Sequence, residues 1–334
     1  MTIFRTSSTD PCFNLAAEEY LIDNFRDDVF MLWRNSPSVI IGRSQNAWAE
    51  LDASFADDNG IAVVRRLSGG GAVFHDLGNV NFTFITDDDG SAPDFSRFCR
   101  PIIGALSGFG VEAELSGRND IISRGVKISG NAQAHRSGRV LHHGTLLYSA
   151  DLAGMAGALR VNADKLRSKG VKSVRSRVGN LKDLYGLTMT PEEFMEALER
   201  SAAEMYPDAV SRPFSPEETE AISRLADLKY RSWEWNWGQS KQLDATRSGY
   251  FPFGLLRVDY SLDEGIISDI SVSGDFFGRR EISGLEDALR SRRMTREDIL
   301  DAAGDIEEYI TGAVPEDLAS LMLGSRDQEC ENGR

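Results

Sequence analysis

An unbroken glycine triplet, Gly69–Gly71, follows two adjacent arginines, Arg65 and Arg66, and precedes an ionisable pair, His75 and Asp76. Glycines lack Cβ atoms, so the backbone can approach a ligand closely, and successive N–H groups in such a loop can bind an anion. Guanidinium groups form bidentate contacts with phosphate or carboxylate. These residue types therefore predict a site for a phosphorylated or carboxylated small molecule.

The same triplet could instead be the flexible tip of a hairpin. Its position between two apolar, β-rich segments, rather than in a polar linker, favours a binding site. The chain has no G-x-x-x-x-G-K-[ST] motif, and Phe74 stands where a dinucleotide fingerprint requires glycine or alanine. The two common nucleotide-binding loops are therefore excluded.

A second candidate is Lys127, which lies in a short apolar stretch and is followed by Ser-Gly-Asn. A strand lysine ordinarily points to water. The functional alternative is an ammonium group directed into the pocket, where it can bridge two anionic groups. His142 and His143 are adjacent in a predicted strand, so they face opposite sides and at most one of them faces a pocket.

The balance of charge is acidic: 37 basic and 52 acidic side chains in 334 residues give a formal net charge of −15. This argues against nucleic-acid binding, which requires a basic surface. No apolar run reaches the roughly 18 residues of a membrane span. The N-terminus lacks a signal-peptide core, so we expect a cytoplasmic protein. The basic segment 163–180 is either a solvated face or a surface for phosphate or an acidic partner protein.

These residues need a framework of helices and strands. Asp10 and Pro11 predict the N-cap and first turn of a helix over 11–25, with Glu18 and Glu19 facing outward. Other periodic segments predict strands at 29–33, 39–42, 121–128 and 140–149, a break at 129–131, and helices at 47–56 and 94–110. Beyond a tryptophan cluster at 233–237, the pattern predicts strands at 250–260 and 266–273 and helices at 281–293, 295–302 and 306–322. We therefore expect a catalytic domain over 1–240 and an α+β accessory domain over 246–326.

Several ordered motifs resemble the lipoate–protein ligase A family, a branch of the biotin and lipoate ligase superfamily. They are Asn14-Leu-Ala-x-Glu18-Glu-Tyr20, Leu32-Trp-Arg-Asn35, Arg65-Arg66-x-Ser68-Gly-Gly-Gly-Ala-Val-Phe-His75-Asp76, Gly117-Arg-Asn-Asp120, Lys127-Ile-Ser-Gly-Asn-Ala132 and His142-His-Gly-Thr145. The resemblance implies an α+β fold, with a mixed, largely antiparallel sheet flanked by helices, like biotin ligases and class II synthetases. It implies that lipoate and ATP form lipoyl-AMP. The lipoyl group would then pass to a lysine of the lipoyl domain of a 2-oxoacid dehydrogenase E2 subunit or of the glycine-cleavage H protein.

The resemblance also implies roles for individual residues. Lys127 would contact both the carboxylate and the α-phosphate, where charge builds up. Phosphates and adenylate would be held by Arg66 and by the backbone of Gly71, Ala72, Val73 and Phe74. The lipoyl chain would lie near Trp33, Ser68, His75 and His143. Asn119 and Asp120 would serve adenine, phosphates or Mg²⁺, which neutralises ATP and needs few protein carboxylates.

Alternatives from the same superfamily are an octanoyl or lipoyl transferase that works through a cysteine thioester, and a biotin ligase. The first needs a cysteine near the lysine, and Cys12, Cys99 and Cys330 are all remote from Lys127 in sequence. The second requires a G-R-G-R-x-G loop, which the chain lacks. A non-catalytic lipoate-binding protein remains a third possibility.

Overall fold

The computed structural model describes residues 1–90, 94–117, 119–159, 178–238 and 243–324. The chain divides into two compact units. The first comprises Met1–Ile41, Trp48–Ser68 and Ala72–Asn236, and the second comprises Gly42–Ala47, Gly69–Gly71 and the chain from Trp237 onward. The domain boundaries at 240 and 246 stay a prediction, but two short segments of the N-terminal part, including the glycine triplet, belong to the second unit.

The first unit is organised around an eight-stranded mixed sheet. The strands up to residue 213 are β1 (Thr2–Arg5), β2 (Val29–Trp33), β3 (Ser38–Ile41), β4 (Ala62–Arg65), β5 (Val73–His75), β6 (Asn79–Asp87), β7 (Glu114–Ser116), β8 (Asp120–Ser123), β9 (Val126–Arg136), β10 (Arg139–Leu147) and β11 (Val210–Pro213). The large sheet has the order β11-β1-β2-β6-β10-β9-β8-β7, and a smaller one has the order β4-β3-β5. Within the large sheet β11, β1 and β2 are parallel and the other neighbours are antiparallel. The predicted mixed, largely antiparallel sheet is confirmed.

Helices flank this sheet, as predicted. Those up to residue 236 are α1 (Pro11–Asn24), α2 (Ala47–Glu50), α3 (Ala53–Asp58), α4 (Phe95–Ser107), α5 (Leu152–Ala158), α6 (Leu181–Tyr185), α7 (Pro191–Met205), α8 (Pro216–Leu225), a π-helix (Ala226–Tyr230) and α9 (Trp233–Asn236). The helix predicted at 47–56 is two helices, because the Asp52 side chain accepts from the Phe55 N–H and begins a new one. Among the described residues, none of the helices is long and apolar enough to cross a membrane.

Helix α1 begins as predicted, with the Asp10 side chain accepting from the Cys12 N–H at 2.9 Å and Pro11 in the first turn. The outward position expected for Glu18 and Glu19 is wrong: their exposed fractions are 2% and 5%. Helix α1 packs against β10 on one side and against α8 and the π-helix on another, so little of its surface remains for water. Buried carboxylates need polar partners, and this requirement shapes the site described below.

Strands β8 and β9 form a hairpin whose two turn residues, Arg124 and Gly125, both have positive φ values, 49° and 79°. Such a turn matches the twist of the flanking strands. The break predicted at 129–131 is wrong, because Gly130 pairs with Asp120 and Asn131 pairs with Gly144, which carries β9 through the segment. Ser129 and Lys127 lie opposite Ile121 and Ile122, which leaves Ile128 without an opposite residue. This bulge can redirect the neighbouring Lys127 side chain.

The second unit has its own antiparallel sheet and its own hydrophobic core. Its strands are β12 (Ala245–Phe251), β13 (Gly254–Asp263) and β14 (Ile266–Gly274), and its helices are α10 (Ser283–Leu289), α11 (Arg296–Ala302), α12 (Ile306–Tyr309) and α13 (Pro315–Leu323). The single strand predicted at 250–260 is two strands, because the chain turns before Gly254, whose φ of 126° favours glycine. The helix predicted at 306–322 is likewise divided, since Pro315 begins a new helix.

Candidate functional site

A buried chain of hydrogen bonds begins at Arg66 and crosses the first unit. The Arg66 Nε donates to Ser68 Oγ at 2.9 Å, and Ser68 Oγ lies 2.6 Å from His143 Nε2. The other ring nitrogen of His143, Nδ1, lies 2.9 and 3.0 Å from the two carboxylate oxygens of Glu18. All four side chains are buried, with Arg66 only 5% exposed. Two predicted site residues of the loop after β4, Arg66 and Ser68, thus join a third on β10, His143, and the chain ends at a residue that was not predicted, Glu18.

The same carboxylate connects to a fourth predicted residue, Trp33, through β6. The Thr83 hydroxyl donates to Glu18 Oε1 at 2.6 Å, and the Trp33 indole N–H donates to Thr83 Oγ1 at 2.9 Å. Thr83 is paired with Met31 of β2 and with His143 of β10, so the central strands of the sheet set the spacing of this chain. Arg66 and Trp33 are thus the two ends of one enclosed polar network.

His75 lies beside this network but is not hydrogen-bonded into it. Its ring contacts Trp33 edge-on at a centroid distance of 5.9 Å, and its Nδ1 lies 3.1 Å from Asn35 Nδ2. Asn35 is held in turn by the Asn14 side chain of α1. Burial, followed by the charge of Arg66, lowers the pKa of His75 to about 3. His75 therefore stays neutral at ordinary pH and can offer a hydrogen bond without carrying charge.

This pKa predicts how His75 affects stability with pH. Between pH 6.5 and 3 the unfolded chain binds a proton at His75 that the native state does not. The contribution of His75 to the free energy of unfolding is therefore fully present above pH 6.5 and is lost as the pH falls toward 3. We expect the wild type to lose its advantage over His75→Gln by about 2 kcal/mol between pH 6.5 and 5, at roughly 1.4 kcal/mol per pH unit. Urea unfolding of both proteins at several pH values measures this, and parallel curves would contradict the burial argument.

His142 and His143 face opposite sides of β10, as the strand geometry predicts. His142 is fully buried, and its ring stacks on Phe98 at 4.8 Å and on Phe82 at 6.0 Å. Burial lowers the pKa of His142 well below its usual value. His142 is thus part of the core, and His143 is the histidine of the pair that lies in the hydrogen-bonded network.

Lys127 forms the second cluster of the site. Its Nζ lies 2.6 Å from Asp120 Oδ1, and the two side chains are 34% and 38% exposed. The amine is therefore paired with a carboxylate at a half-exposed position, and its direction into a substrate pocket stays a prediction. A Cβ on Gly130 would lie 2.9 Å from Lys127 Nζ, so the amine lies over the Gly130 backbone. The Gly130 N–H donates to Thr145 Oγ1, two residues from His143 and on the same face of β10.

The close contact with Gly130 makes a specific prediction. The methyl group of Gly130→Ala would displace the Lys127 amine, whose flexible side chain can move without disturbing the strand. We expect the rate of adenylation to fall about 100-fold with little change in melting temperature. Lipoate-dependent ATP–pyrophosphate exchange measures the rate. Gly104→Ala is the matched control, because a Cβ there meets only the Met205 side chain at 3.9 Å; equal exchange rates in both variants would count against the placement of the amine.

Asn119 is held by Asn131 of β9 in a reciprocal arrangement. The Asn119 side-chain amide donates to the Asn131 carbonyl at 2.7 Å, and the Asn131 N–H and side-chain amide donate to the Asn119 carbonyl at 2.9 and 3.0 Å. These bonds fix the backbone just before Asp120. Asn119 therefore positions the start of β8, and with it the carboxylate that pairs with Lys127.

The glycine triplet is engaged within the second unit. The Gly70 N–H donates to the Phe276 carbonyl at 3.0 Å, and a Cβ on Gly69 would lie 2.4 Å from that same oxygen. The close approach explains glycine at 69, and the positive φ of 86° explains it at 70. Of the predicted phosphate-binding backbone, Val73 and Phe74 lie in β5, paired with Ile40 and Val39 of β3.

The two adjacent arginines have different environments. Arg65 is fully buried, and its guanidinium donates to the Trp235 and Asn236 carbonyls, both at 2.9 Å. Its own carbonyl accepts from the Trp235 indole at 2.8 Å. The described contacts of the Arg65 guanidinium are therefore within the fold, and the binding role of Arg66 stays a prediction. Burial lowers the pKa of Arg66 to about 10, which still leaves it charged at neutral pH.

The two cysteines that the structure describes are poor nucleophiles. Burial raises the pKa of Cys99 to about 12 and that of Cys12 to about 11. Thiols with such pKa values carry almost no thiolate at neutral pH. A thioester route through either residue is therefore unsupported.

Sequence reasoning missed Glu18, Thr83 and Asn35 as parts of the site. Glu18 and His143 both occur in the motifs quoted above. They are far apart along the sequence, so spacing alone does not indicate that they are in contact. The basic segment 163–180 lies outside the described residues except for its last three positions. No group of three or more metal-ligating side chains occurs within the described ranges. Asp120 stays the predicted protein carboxylate for a magnesium ion.

Comparison with solved structures defines the class of the protein. The crystal structure of P. falciparum LipL1 in complex with lipoate superimposes with a TM-score of 0.79, at 25% identity over 96% of this chain and 99% of that one. A lipoate-protein ligase A bound with ATP matches with a TM-score of 0.60, at 29% identity over 71% and 98%. A bi-partite lipoate protein ligase from Thermoplasma acidophilum, described with its E2 lipoyl domain, gives 0.62 at 30% identity over 73% and 98%. The fold is thus that of lipoate-protein ligases.

Sequence models agree with that class. Residues 10–203 match the lipoyl protein ligase A/B catalytic domain, and residues 240–322 match the bacterial lipoate protein ligase C-terminus. Lipoate-protein ligase LplJ of Bacillus subtilis (strain 168) is 40% identical over 321 residues, covering 94% of this chain and 97% of the relative. The chain belongs to the lipoyl protein ligase A/B family.

Proposed function

We propose that this enzyme is an ATP-dependent lipoate–protein ligase whose site is built from the network between Arg66 and Trp33 and from the Lys127–Asp120 pair. The observation that carries the proposal is the enclosed hydrogen-bonded chain that joins a buried guanidinium to an indole ring. A guanidinium suits phosphate, and an indole suits an apolar chain. The relatives named as lipoate-protein ligases, and the solved ligases with lipoate or ATP, support the same reaction.

In the first step, a carboxylate oxygen of lipoate attacks the α-phosphorus of ATP, and the bond to the β-phosphate breaks. The products are lipoyl-AMP and pyrophosphate. Two anions must approach each other, so fixed positive charge between them lowers the barrier. Lys127 supplies that charge, and Asp120 holds its amine in place before the substrates arrive.

In the second step, the neutral amine of an acceptor lysine attacks the acyl carbon of lipoyl-AMP. The bond to AMP breaks, AMP leaves with the electron pair, and the amine loses a proton to solvent as the amide forms. No covalent intermediate with the enzyme is needed, because the mixed anhydride is already the activated acyl group. Arg66 holds the phosphate of the adenylate, and the enclosed setting of Ser68 and His143 limits hydrolysis by water.

The remaining assignments belong to the same proposal and rest on the family resemblance. The backbone of Gly71, Ala72, Val73 and Phe74 contacts the phosphates, and Trp33 and His75 lie along the lipoyl chain. Asn119 and Asp120 serve the nucleotide or Mg²⁺. The acceptors are lipoyl domains of E2 subunits and the glycine-cleavage H protein, and the enzyme acts in the cytoplasm.

The test is ATP–pyrophosphate exchange with lipoate, octanoate and biotin, followed by transfer to an isolated E2 lipoyl domain and to an H protein. We expect exchange that requires lipoate and a mass increase of one lipoyl group on the acceptor lysine. Exchange with biotin alone would redirect the assignment to biotin ligation. Lipoate binding without exchange would identify a non-catalytic binding protein.

A further inference from the structure

The hydrogen-bonded chain of the site has a direction that can be worked out from its two ends. A guanidinium has donors only, so Arg66 Nε–H donates to Ser68 Oγ, which accepts. The Ser68 hydroxyl has one hydrogen, and its second neighbour in the chain is His143 Nε2 at 2.6 Å. Among the described contacts of the Ser68 hydroxyl, Nε2 is the group that can accept this hydrogen, so the hydrogen points to Nε2.

The direction of the hydrogen bonds can also be worked out from the other end of the chain, at Trp33. An indole N–H is also a donor only, so Trp33 donates to Thr83 Oγ1. The single Thr83 hydrogen then goes to Glu18 Oε1 at 2.6 Å. From both ends, each group donates a hydrogen bond toward the carboxylate of Glu18. The two oxygens of this carboxylate accept those bonds.

We propose that Glu18 is a positioning residue of this ligase: its carboxylate holds the proton of His143 on Nδ1, and thereby fixes the direction of the Ser68 hydroxyl and the orientation of Arg66. His143 Nδ1 lies 2.9 and 3.0 Å from the two Glu18 oxygens, so the hydrogen on Nδ1 has an acceptor on either side. With Nδ1 protonated and Nε2 free, every atom in the chain has a partner of the right kind.

The opposite tautomer breaks the chain. With its proton on Nε2, His143 would donate to Ser68 Oγ, which already accepts from Arg66, and the Ser68 hydrogen would lose its acceptor. A polar hydrogen buried without an acceptor costs about 1–3 kcal/mol. Ser68 is 1% exposed, so water offers little replacement. The Ser68 hydroxyl would then rotate away from His143, which changes the direction of the lone pairs that face the Arg66 Nε.

Glu18 connects the two ends of the site that we assign to different parts of the substrate. Through His143 and Ser68 it acts on Arg66, which we assign to the phosphate. Through Thr83 it acts on Trp33, which we assign to the lipoyl chain. Arg66 also feels the carboxylate directly, since the charge of Glu18 partly offsets the lowering of the Arg66 pKa by burial. A change at Glu18 should therefore affect both substrates.

Glu18→Gln tests the inference. Glutamine keeps the shape but offers one acceptor and one donor group. Its oxygen is needed by Thr83, so its NH₂ group faces His143 Nδ1 and favours the tautomer protonated on Nε2. We expect the wild type to show Nε2 of His143 as the unprotonated ring nitrogen in ¹⁵N-detected NMR, and Glu18→Gln to show Nδ1 instead. The spectrum of His143→Gln identifies the resonances among the four histidines of the chain.

Glu19→Gln is the matched control. Glu19 is the next residue of α1 and is also buried, but it accepts from Lys229 Nζ and Tyr230 Oη, outside the chain. We expect it to leave the His143 tautomer unchanged. A protonated Nε2 in the wild type would overturn the inference, even if Glu18→Gln failed to fold, and so would an unchanged tautomer in a folded Glu18→Gln.

The kinetic readout rests on the proposed function, whereas the NMR readout does not. We expect Glu18→Gln to lower kcat/KM of adenylation about 100-fold for lipoate and ATP alike, in contrast to Glu19→Gln. If Glu18→Gln changed the His143 tautomer but the wild type had no exchange activity, the proposed function would be contradicted. The positioning of His143 by Glu18 would still hold. An unchanged kcat/KM after a tautomer change would overturn the role of Glu18 in this reaction.

Discussion

Replacing Lys127 with alanine is expected to abolish formation of lipoyl-AMP, with a loss of at least about 1,000-fold in lipoate-dependent ATP–pyrophosphate exchange. The amine is the positive charge that we place between the lipoate carboxylate and the α-phosphate. Removing it leaves two anions to approach each other without compensation. The half-exposed position of the Lys127–Asp120 pair means that the fold does not depend on it, since such pairs contribute little to stability.

The experiment separates the two steps of the reaction. Chemically prepared lipoyl-AMP bypasses adenylation, so the variant should recover part of its transfer activity when supplied with it. Lys182→Ala is the matched control, because Lys182 is also a partly buried lysine and its backbone N–H simply bonds to the Tyr148 carbonyl. Normal pyrophosphate exchange by a folded Lys127→Ala protein would refute the role of this amine.

Arg65→Ala is expected to have the largest effect on stability. The substitution removes two hydrogen bonds to the Trp235 and Asn236 carbonyls and leaves a cavity at a fully buried position. Breaking buried charged hydrogen bonds costs about 3–5 kcal/mol. For a domain of this size, that corresponds to a fall of roughly 10 °C in melting temperature.

Thermal unfolding with and without substrates checks this expectation. Arg100→Ala is the control, because Arg100 is exposed on α4 and a surface substitution changes stability by about 0.5 kcal/mol or less. Arg66→Ala supplies the contrast: it also removes buried hydrogen bonds, to Ser68 and the Ile40 carbonyl, but it should impair adenylation in addition to lowering the melting temperature. If Arg65→Ala melted like Arg100→Ala, the buried bonds to Trp235 and Asn236 would not have the strength assigned to them.

Much of the fold follows from local sequence. Asp10 and Pro11 locate the start of α1, and Asp94 locates that of α4 with its side chain accepting from the Ser96 N–H. The errors occur where tertiary packing overrides local preference. The Ser-Gly-Asn segment at 129–131 resembles a turn by composition, yet it continues β9 because β8 and β10 pair with it on both sides.

The candidate site was predictable in its residue types and less so in its connections. Arg66, Ser68, His143 and Trp33 were recognisable from motifs, and Lys127 from its setting. Their relations were not, because Arg66 follows β4, His143 lies on β10 and Trp33 ends β2. Glu18 and Glu19 illustrate the limit: periodicity placed both on a solvent face, whereas the helix is covered on two sides.

By itself the sequence determined which chemistry the chain can perform, since guanidinium, ammonium and a side-chain-free loop define an anion-binding site wherever they meet. It also determined the family, because the ordered motifs are dense enough to be specific. Only the tertiary structure showed that the Arg65 guanidinium donates to the Trp235 and Asn236 carbonyls, and that Glu18 shares a buried hydrogen-bonded network with Arg66. These contacts form because burial removes water from the polar groups involved, which then need partners in the protein. Burial is a property of the packed chain and cannot be read from neighbouring residues in the sequence.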